Sequence, residues 1–150
     1  MADLLYLDYN CFQRGFDDHR QVRIRMEAEA CEQLFNDAQS GRVDVVWSFM
    51  HLDENAVCPF ADRRDEIARL ASVCKVQIGP EEGIRTRAQE IMDRTGLSAK
   101  DALHVAAAAH ARVDCFVTCD DEIVKKAARL QVAFPVVNPI DYVLGKGRVQ

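Results

Sequence analysis

Apolar positions fall in short unbroken runs along this chain, separated by longer stretches in which apolar and polar residues alternate with helical spacing. The clearest runs are residues 4–7 in LLYLDYN, 43–47 in RVDVVWS and 115–117 in VDCFVTCDD. Two weaker runs are VCKVQI at 73–78 and FPVV at 134–137. Continuous apolar runs of this length are typical of strands buried on both faces of a parallel sheet.

Helical patterns fill the stretches between these runs. Ser40-Gly41 ends the first of them, Asp62 is the expected N-cap of a later one, and Gly96 is a typical stop signal. The predicted helices cover residues 20–39, 48–58, 62–72, 80–96, 98–112, 120–130 and 138–144. Strands that alternate with helices predict a three-layer α/β/α domain with a mostly parallel central sheet of four to five strands. We expect residues 1–150 to form one domain.

The composition is that of an ordinary soluble protein, with 49% hydrophobic and 29% charged residues. No apolar stretch approaches the roughly 18 residues of a membrane span, and the N-terminus lacks a signal-peptide pattern. The sequence therefore predicts a cytoplasmic protein without a membrane partner. A net charge of −5 argues against a protein that attracts DNA or RNA over long distances, but it allows an enzyme that handles nucleic acid locally.

The six cysteines are scattered, and none forms a C-x-x-C pair. They are Cys11, Cys31, Cys58, Cys74, Cys115 and Cys119. Because several lie inside apolar runs, we interpret them as buried free thiols rather than as metal ligands or disulfides.

Three acidic residues are predicted to meet at one edge of the sheet. Asp8 ends the first strand, and Asp120 follows the strand at 115–117 by a short connection. Asp101 lies in the first turn of a helix that leads into that strand, so it belongs to the same edge. In parallel α/β sheets this carboxyl edge is where ligands bind. Each acid also has an ordinary structural interpretation, as a turn residue or a helix cap.

A fourth acid comes from the helix that follows the second strand, where two candidates are adjacent. Asp53 falls near the middle of the apolar face of this helix, and Glu54 falls at the border of that face. Periodicity alone does not choose between them, and Glu54 could equally be a solvated helix residue.

A cluster of carboxylates is costly without a counter-ion, because each raises the pKa of its neighbours. Oxygen ligands of this type suit Mg²⁺ or Mn²⁺. Such an ion activates a water molecule and offsets charge at a phosphodiester. The acidic edge therefore predicts metal-dependent hydrolysis of a nucleic acid, without a covalent nucleophile.

Four motifs resemble those of PIN-domain ribonucleases in their order and approximate spacing. They are LLYLDYN, the Ser-x5-Glu-Asn segment SFMHLDEN, LSAKDALHVAAA and FVTCDDEIVKKA. The closing VVNPIDYV is also similar to the C-terminal segment of many PIN proteins, so the resemblance covers nearly the whole chain.

The resemblance implies a Mg²⁺- or Mn²⁺-dependent endoribonuclease of the type found as the VapC toxin of toxin–antitoxin pairs. It implies an RNA substrate, a small antitoxin as protein partner and a homodimer. The Glu-Asn pair favours Glu54 over Asp53. The implied metal-binding and catalytic acids are Asp8, Glu54, Asp101 and Asp120, with Asn10 and Thr118 as supporting polar residues and Asp121 as an outer candidate. Tyr9 departs from the family, which often has a small hydroxyl residue there, and implies a narrower mouth.

Two alternatives stay open at this stage. The first is a non-catalytic PIN-like module that binds RNA or protein and uses its acids as caps. The second, an aspartyl-phosphate phosphatase, requires a second aspartate where this chain has Asn10. The four histidines, His19, His51, His104 and His110, have no metal-binding spacing, and we interpret them as surface or packed residues.

Overall fold

The centre of the molecule is a sheet of five parallel strands, seen in a computed structural model that describes residues 2–145. The strands lie in the order β3-β2-β1-β4-β5, and all four pairings are parallel. Their bounds are β1 (Asp3–Leu7), β2 (Val43–Ser48), β3 (Val76–Ile78), β4 (Cys115–Val117) and β5 (Val136–Val137). The α/β prediction is confirmed, including its two weaker strands. Residues 1 and 146–150 of the predicted domain lie outside the described part.

Helices occupy the connections between the strands. A short 3₁₀ turn over Arg14–Phe16 follows the first helix. The helices are α1 (Tyr9–Gln13), α2 (Val22–Gln39), α3 (Phe49–Ala56), α4 (Ala61–Ala71), α5 (Glu82–Thr95), α6 (Ala99–Ala111), α7 (Asp121–Lys125), α8 (Ala127–Leu130) and α9 (Pro139–Val143).

Alternating side chains of the central strand divide the core into two halves. Leu5 and Leu7 of β1 face a cluster formed with α1, α2, α4 and α9. Tyr6, between them, faces the opposite cluster, to which α5 and α6 contribute most. Both halves are fully buried at β1, since these three side chains have no exposed surface. This explains why β1 has no charged side chain between residue 4 and the aspartate that follows the strand.

Two helix boundaries differ from those predicted. Helix α4 begins at Ala61 with Phe60 as N-cap, so Asp62 lies in the first turn instead of capping it, a position that also suits the helix dipole. The predicted helix at 120–130 is two short helices that meet at Lys126. Gly96 ends α5 as predicted, with a left-handed φ of 72° that costs glycine little.

Candidate functional site

Asp8 lies at the carboxyl end of β1, where the strand gives way to α1. Its carboxylate is 5% exposed and caps the helix, since Oδ1 accepts a hydrogen bond of 2.8 Å from the Tyr9 backbone N–H. Oδ2 accepts hydrogen bonds from the Thr118 hydroxyl (2.8 Å) and the Asn10 side-chain amide (3.2 Å). Three donors therefore hold this carboxylate in one orientation.

Asn10 and Thr118 join the two connections that follow β1 and β4. The Asn10 amide oxygen accepts from the Cys119 backbone N–H (3.1 Å), and its Nδ2 lies 3.3 Å from the Thr118 hydroxyl. That hydroxyl also accepts from the Asp120 backbone N–H at 3.0 Å. The supporting residues predicted from the sequence thus link Asp8 to the segment that carries Asp120.

Glu54 points from α3 toward the same edge, whereas Asp53 is exposed on that helix. The Glu54 side chain is 17% exposed and binds Nε2 of His104 through a short hydrogen bond. The same nitrogen lies 4.0 Å from Asp8 Oδ1, and Lys100 Nζ lies 3.8 Å from Glu54 Oε2. The geometry therefore brings Glu54, and not Asp53, beside Asp8.

His104 is the end of a buried chain of hydrogen bonds that begins at the Leu7 carbonyl. That carbonyl accepts from Nε2 of His51 (2.7 Å), so Nδ1 of His51 is an acceptor and receives the Ser48 backbone N–H at 2.9 Å. The Ser48 hydroxyl lies 3.0 Å from Nδ1 of His51 and 2.7 Å from the Tyr6 hydroxyl. The Tyr6 hydroxyl in turn lies 2.6 Å from Nδ1 of His104.

Each polar side chain of this chain of hydrogen bonds has a partner within it. His51 is neutral, because burial, and next its neighbour His104, hold its pKa well below 6.5. We assign the position of the His51 proton from the hydrogen-bond partners.

Asp101 and Asp120 complete the acidic edge. Asp101 lies in the first turn of α6, where the Ser98 hydroxyl accepts its backbone N–H at 3.2 Å. Asp120 caps α7 by accepting the Glu122 backbone N–H at 2.9 Å. Both side chains are partly exposed, unlike Asp8. We name Asp8, Glu54, Asp101 and Asp120 the acidic rim.

The rim carboxylates are close enough to disfavour one another's charge. Burial raises the pKa of Asp8, and the Asp101 and Glu54 carboxylates add to this effect, while His104 and the Thr118 hydroxyl oppose it. Burial also raises the pKa of Asp101, with a further contribution from the Asp120 carboxylate. A bound cation would relieve this repulsion.

Asp121 lies apart from the rim. It is 53% exposed, and its carboxylate forms a two-pronged ion pair with the Arg23 guanidinium of α2, with distances of 2.5 and 2.8 Å. Asp121, expected as an outer residue of the acidic site, is therefore paired with a residue of α2 that the sequence did not predict.

Tyr9 lines the groove that opens beside Glu54. Its side chain is only 4% exposed and packs in the core, and its hydroxyl donates a hydrogen bond of 2.9 Å to the Asn55 amide oxygen. The Glu54-Asn55 pair therefore has two different partners, since one residue contacts His104 and the next anchors α3 to α1.

The buried support beneath the rim consists of Tyr6, Ser48, His51 and His104, and it was not predicted from the sequence. Two spacings could have revealed it. Ser48 and His51 are three residues apart, and form a capping box in which the histidine replaces the usual glutamate. His104 follows Asp101 by three residues on α6 and so lies on a neighbouring part of the same helix face.

Comparisons with known proteins identify the family. Within residues 2–145, no helix combines the length and the apolar character needed to cross a membrane. None of the curated proteins matches the sequence. The family model described as PIN domain matches residues 6–130, a span that contains the whole acidic rim and its buried support. PIN domains are generally nucleases. With that match and a five-stranded parallel sheet in the corresponding arrangement, the chain belongs to the PIN domain family.

Proposed function

We propose that the chain is a Mg²⁺- or Mn²⁺-dependent endoribonuclease whose acidic rim hydrolyses RNA phosphodiester bonds. The observation that carries the proposal is Asp8, a carboxylate with 5% exposure held by Thr118 and Asn10 at the carboxyl edge of the sheet. Burial and neighbouring carboxylates act against its charge, so a purely structural role would be served better by a neutral residue.

The donor chemistry of the rim fits a hard divalent cation. All four rim residues offer carboxylate oxygens, which Mg²⁺ and Mn²⁺ prefer. In the described residues, no three of these acids have donor atoms that all lie within 4.8 Å of one another, which suits an ion that contacts some ligands directly and others through water. When bound, such an ion lowers the pKa of a water molecule and offsets charge on the phosphate.

The residues around the rim would orient its carboxylates. Thr118 and Asn10 fix one oxygen of Asp8, and because both donate hydrogen bonds to it they favour its ionised form against the effect of burial. His104 fixes Glu54 from below. Positioning of this kind matters because ligand-orienting partners typically contribute about 10–100-fold to metal affinity or activity.

A groove of about 320 Å³ beside Glu54 supports RNA as the substrate. Lys100, 60% exposed, stands where it can contact a phosphate. Phe60 is 56% exposed and offers a surface for base stacking, with the Arg63 guanidinium 4.7 Å from its ring centre. A positive charge and an aromatic ring next to the acids are features of single-strand binding sites.

The direct test is cleavage of a single-stranded RNA with and without Mn²⁺ by the wild-type protein, Asp101→Asn and Asp93→Asn. Asp93 is an exposed helix aspartate on α5 and serves as the matched control. We expect Mn²⁺-dependent cleavage by the wild type and the control, and none by Asp101→Asn. Wild-type protein that neither cleaves RNA nor gains thermal stability in millimolar Mn²⁺ would refute the proposal.

A non-catalytic RNA- or protein-binding module is the second candidate. It is favoured by the capping hydrogen bonds of Asp8 and Asp120, which give both acids a structural task. Asp101 separates the candidates, because the Ser98 side chain provides the cap of α6. A module of this kind would bind RNA equally well as the wild type and as Asp101→Asn, and would not depend on Mn²⁺.

The motif resemblance also supports a toxin role, with a small antitoxin as partner and a homodimer as the working form. Exposed Leu52 and Val57 on and after α3 provide apolar surface beside the groove for such a partner. Expression of the chain should arrest growth of a host cell, and expression of Asp101→Asn should not. Rescue by the product of a short neighbouring reading frame would identify the antitoxin, and growth unaffected by the wild type would exclude a toxin.

A further inference from the structure

Three cysteines that are distant in the sequence meet in the core on the α2 side of the sheet. Cys11 comes from α1, Cys31 from α2 and Cys119 from the connection between β4 and α7. Their sulfur atoms all lie within 4.8 Å of one another, and each residue is at most 7% exposed. Among residues 2–145 they form the one such group of three potential metal ligands. We name them the thiol cluster.

The other buried cysteines have different surroundings. Cys58, Cys74 and Cys115 contact backbone carbonyls of their own local segments, with Sγ to oxygen distances of 3.8 Å to Phe60, 3.6 Å to Leu70 and 3.8 Å to Phe116. Within residues 2–145, none of the three lies in a group of three potential ligands. Thus burial of a thiol in this protein does not by itself lead to clustering. The three sulfurs converge because two strand-to-helix connections and α2 bring them together.

The spacing of the cluster suits a metal–thiolate centre. A zinc–sulfur bond of about 2.3 Å places tetrahedral thiolates about 3.8 Å apart. Sulfur atoms within 4.8 Å of one another reach that spacing by side-chain rotation and small backbone shifts. Sulfur ligands favour thiophilic ions such as Zn²⁺, whereas Mg²⁺ and Mn²⁺ favour the oxygen atoms of the acidic rim.

A cation next to the cluster provides the charge balance. Three thiolates and one divalent ion carry a net charge of −1, and the Arg14 guanidinium lies against Cys119. Arg14 is also ion-paired with Asp17 at 2.9 Å and with buried Glu27 at 3.3 Å. Its Nε has no hydrogen-bond partner within residues 2–145, so a negatively charged centre at the sulfurs would share this guanidinium with the two carboxylates.

A surface groove adjoins one member of the cluster. Cys31 lies on the wall of a groove of about 370 Å³ between α2, the 3₁₀ turn and α4. Phe12, Phe35 and Leu70 provide apolar lining, and Glu29, Glu32 and Glu66 provide carboxylates. Acidic side chains along the groove attract a cation toward the sulfurs.

We propose that Cys11, Cys31 and Cys119 form a second metal site, a three-thiolate centre for a thiophilic divalent ion of the Zn²⁺ class. Binding releases the three thiol protons to solvent and forms three metal–sulfur bonds, with one coordination position left for another donor. The ion would join α1, α2 and the connection after β4. The site is independent of the proposed nuclease activity, because it uses different residues and a different class of ion.

The test is titration of the reduced, metal-free full-length protein with Cd²⁺, in an excess of Mg²⁺ that competes for the acidic rim. Thiolate–cadmium bonds give a charge-transfer absorption in the ultraviolet, and carboxylates do not. We expect this absorption to saturate at one ion per chain and to disappear on addition of Zn²⁺.

Matched alanine variants separate the cluster from other thiols. Cys31→Ala and Cys11→Ala should each weaken Cd²⁺ binding by more than about tenfold, whereas the buried control Cys74→Ala should bind as the wild type does. Circular dichroism establishes that each variant is folded before the titration. No absorption in the wild type, or equal binding by the wild type and both cluster variants, would overturn the proposal.

Discussion

The acidic rim and the thiol cluster are two chemically different regions built from the same two connections. After β4, Thr118 donates a hydrogen bond to Asp8 and Asp120 belongs to the rim, while Cys119 between them packs into the core. After β1, Asp8 contributes to the rim and Cys11 to the cluster. Neighbouring residues thus place carboxylates on one side of each connection and thiols on the other. One strand end can therefore supply two kinds of side-chain chemistry.

The two regions also differ in what supports them. The rim rests on hydrogen bonds, which run from the Leu7 carbonyl through His51 to His104 and Glu54. The thiol cluster lies among apolar side chains such as Phe12 and Leu34. Substitutions of polar groups should therefore damage the rim and leave the thiol cluster intact, and the following experiments test this difference.

The largest effect is expected for Asp8→Asn. Loss of the central rim carboxylate should lower Mn²⁺-dependent RNA cleavage by more than about 100-fold, since residues that only orient a ligand already contribute about 10–100-fold. Cadmium binding by the thiol cluster should persist. Asp44→Asn, a β2 aspartate near the opposite edge of the sheet, is the control and should cleave normally. Loss of both RNA cleavage and cadmium binding in Asp8→Asn would show that the acidic rim and the thiol cluster depend on each other.

His51→Ala tests the buried support. It leaves the Leu7 carbonyl and the Ser48 backbone N–H without a partner and opens a cavity, so unfolding in urea should require about 3 kcal/mol less free energy. His19→Ala removes an exposed histidine and should change stability by less than about 0.5 kcal/mol. An equal loss of unfolding free energy in the two variants would show that the buried chain of hydrogen bonds does not stabilise the fold.

His104→Ala should lower the cleavage rate by about 10–100-fold, because Glu54 loses the group that orients it. His104→Gln keeps an amide donor near the position of Nε2 and should restore part of the rate. The Mn²⁺ concentration that gives half-maximal activity should rise in the alanine variant and fall back in the glutamine variant. A rate that is the same in both variants would indicate a general packing defect.

The smallest effect concerns the cost of the charge on Asp101, which comes first from burial and next from the Asp120 carboxylate. The pKa of Asp101 is raised in the folded protein, so its ionised form destabilises the fold at neutral pH, and this cost is relieved as the pH falls through the raised pKa toward the ordinary value of 3.8. Without metal, Asp101→Asn should therefore melt about 1–3 °C above the wild type at pH 7. The difference should shrink toward pH 4. An advantage that does not depend on pH would have another origin than charge.

Much of the rim could be predicted because topology determines it. Asp8, Asp101 and Asp120 each adjoin the carboxyl end of a parallel strand, and the order of strands and helices is readable from apolar patterns. The choice of Glu54 came from the motif resemblance, and periodicity gave no help. The expected apolar face of α3 is largely in solvent, since Leu52 is 59% exposed. The direction of this helix is set instead by His51 and Asn55, which bind other elements.

Contacts between distant residues were beyond the reach of local patterns. The thiol cluster joins three cysteines without any motif spacing, and its members looked like Cys74 and Cys115, which remain ordinary core residues. The ion pair of Asp121 with Arg23 depends on how α2 crosses the start of α7, with 98 residues between the partners. Sequence periodicity gives the faces of helices, but the crossing of two helices is decided by packing.

The place of β1 in the centre of the sheet has a consequence for synthesis on the ribosome. β1 can pair with β2 early, but its other neighbour, β4, and Thr118, which lies 110 residues after Asp8, emerge much later. Asp101 and Asp120 also belong to that late part of the chain. We expect a nascent chain to lack the proposed activity until residue 120 has left the ribosome, so the strand order itself would delay its onset. Ribosome-bound chains in which that residue lies inside or, through a C-terminal extension, outside the exit tunnel should differ in cleavage accordingly.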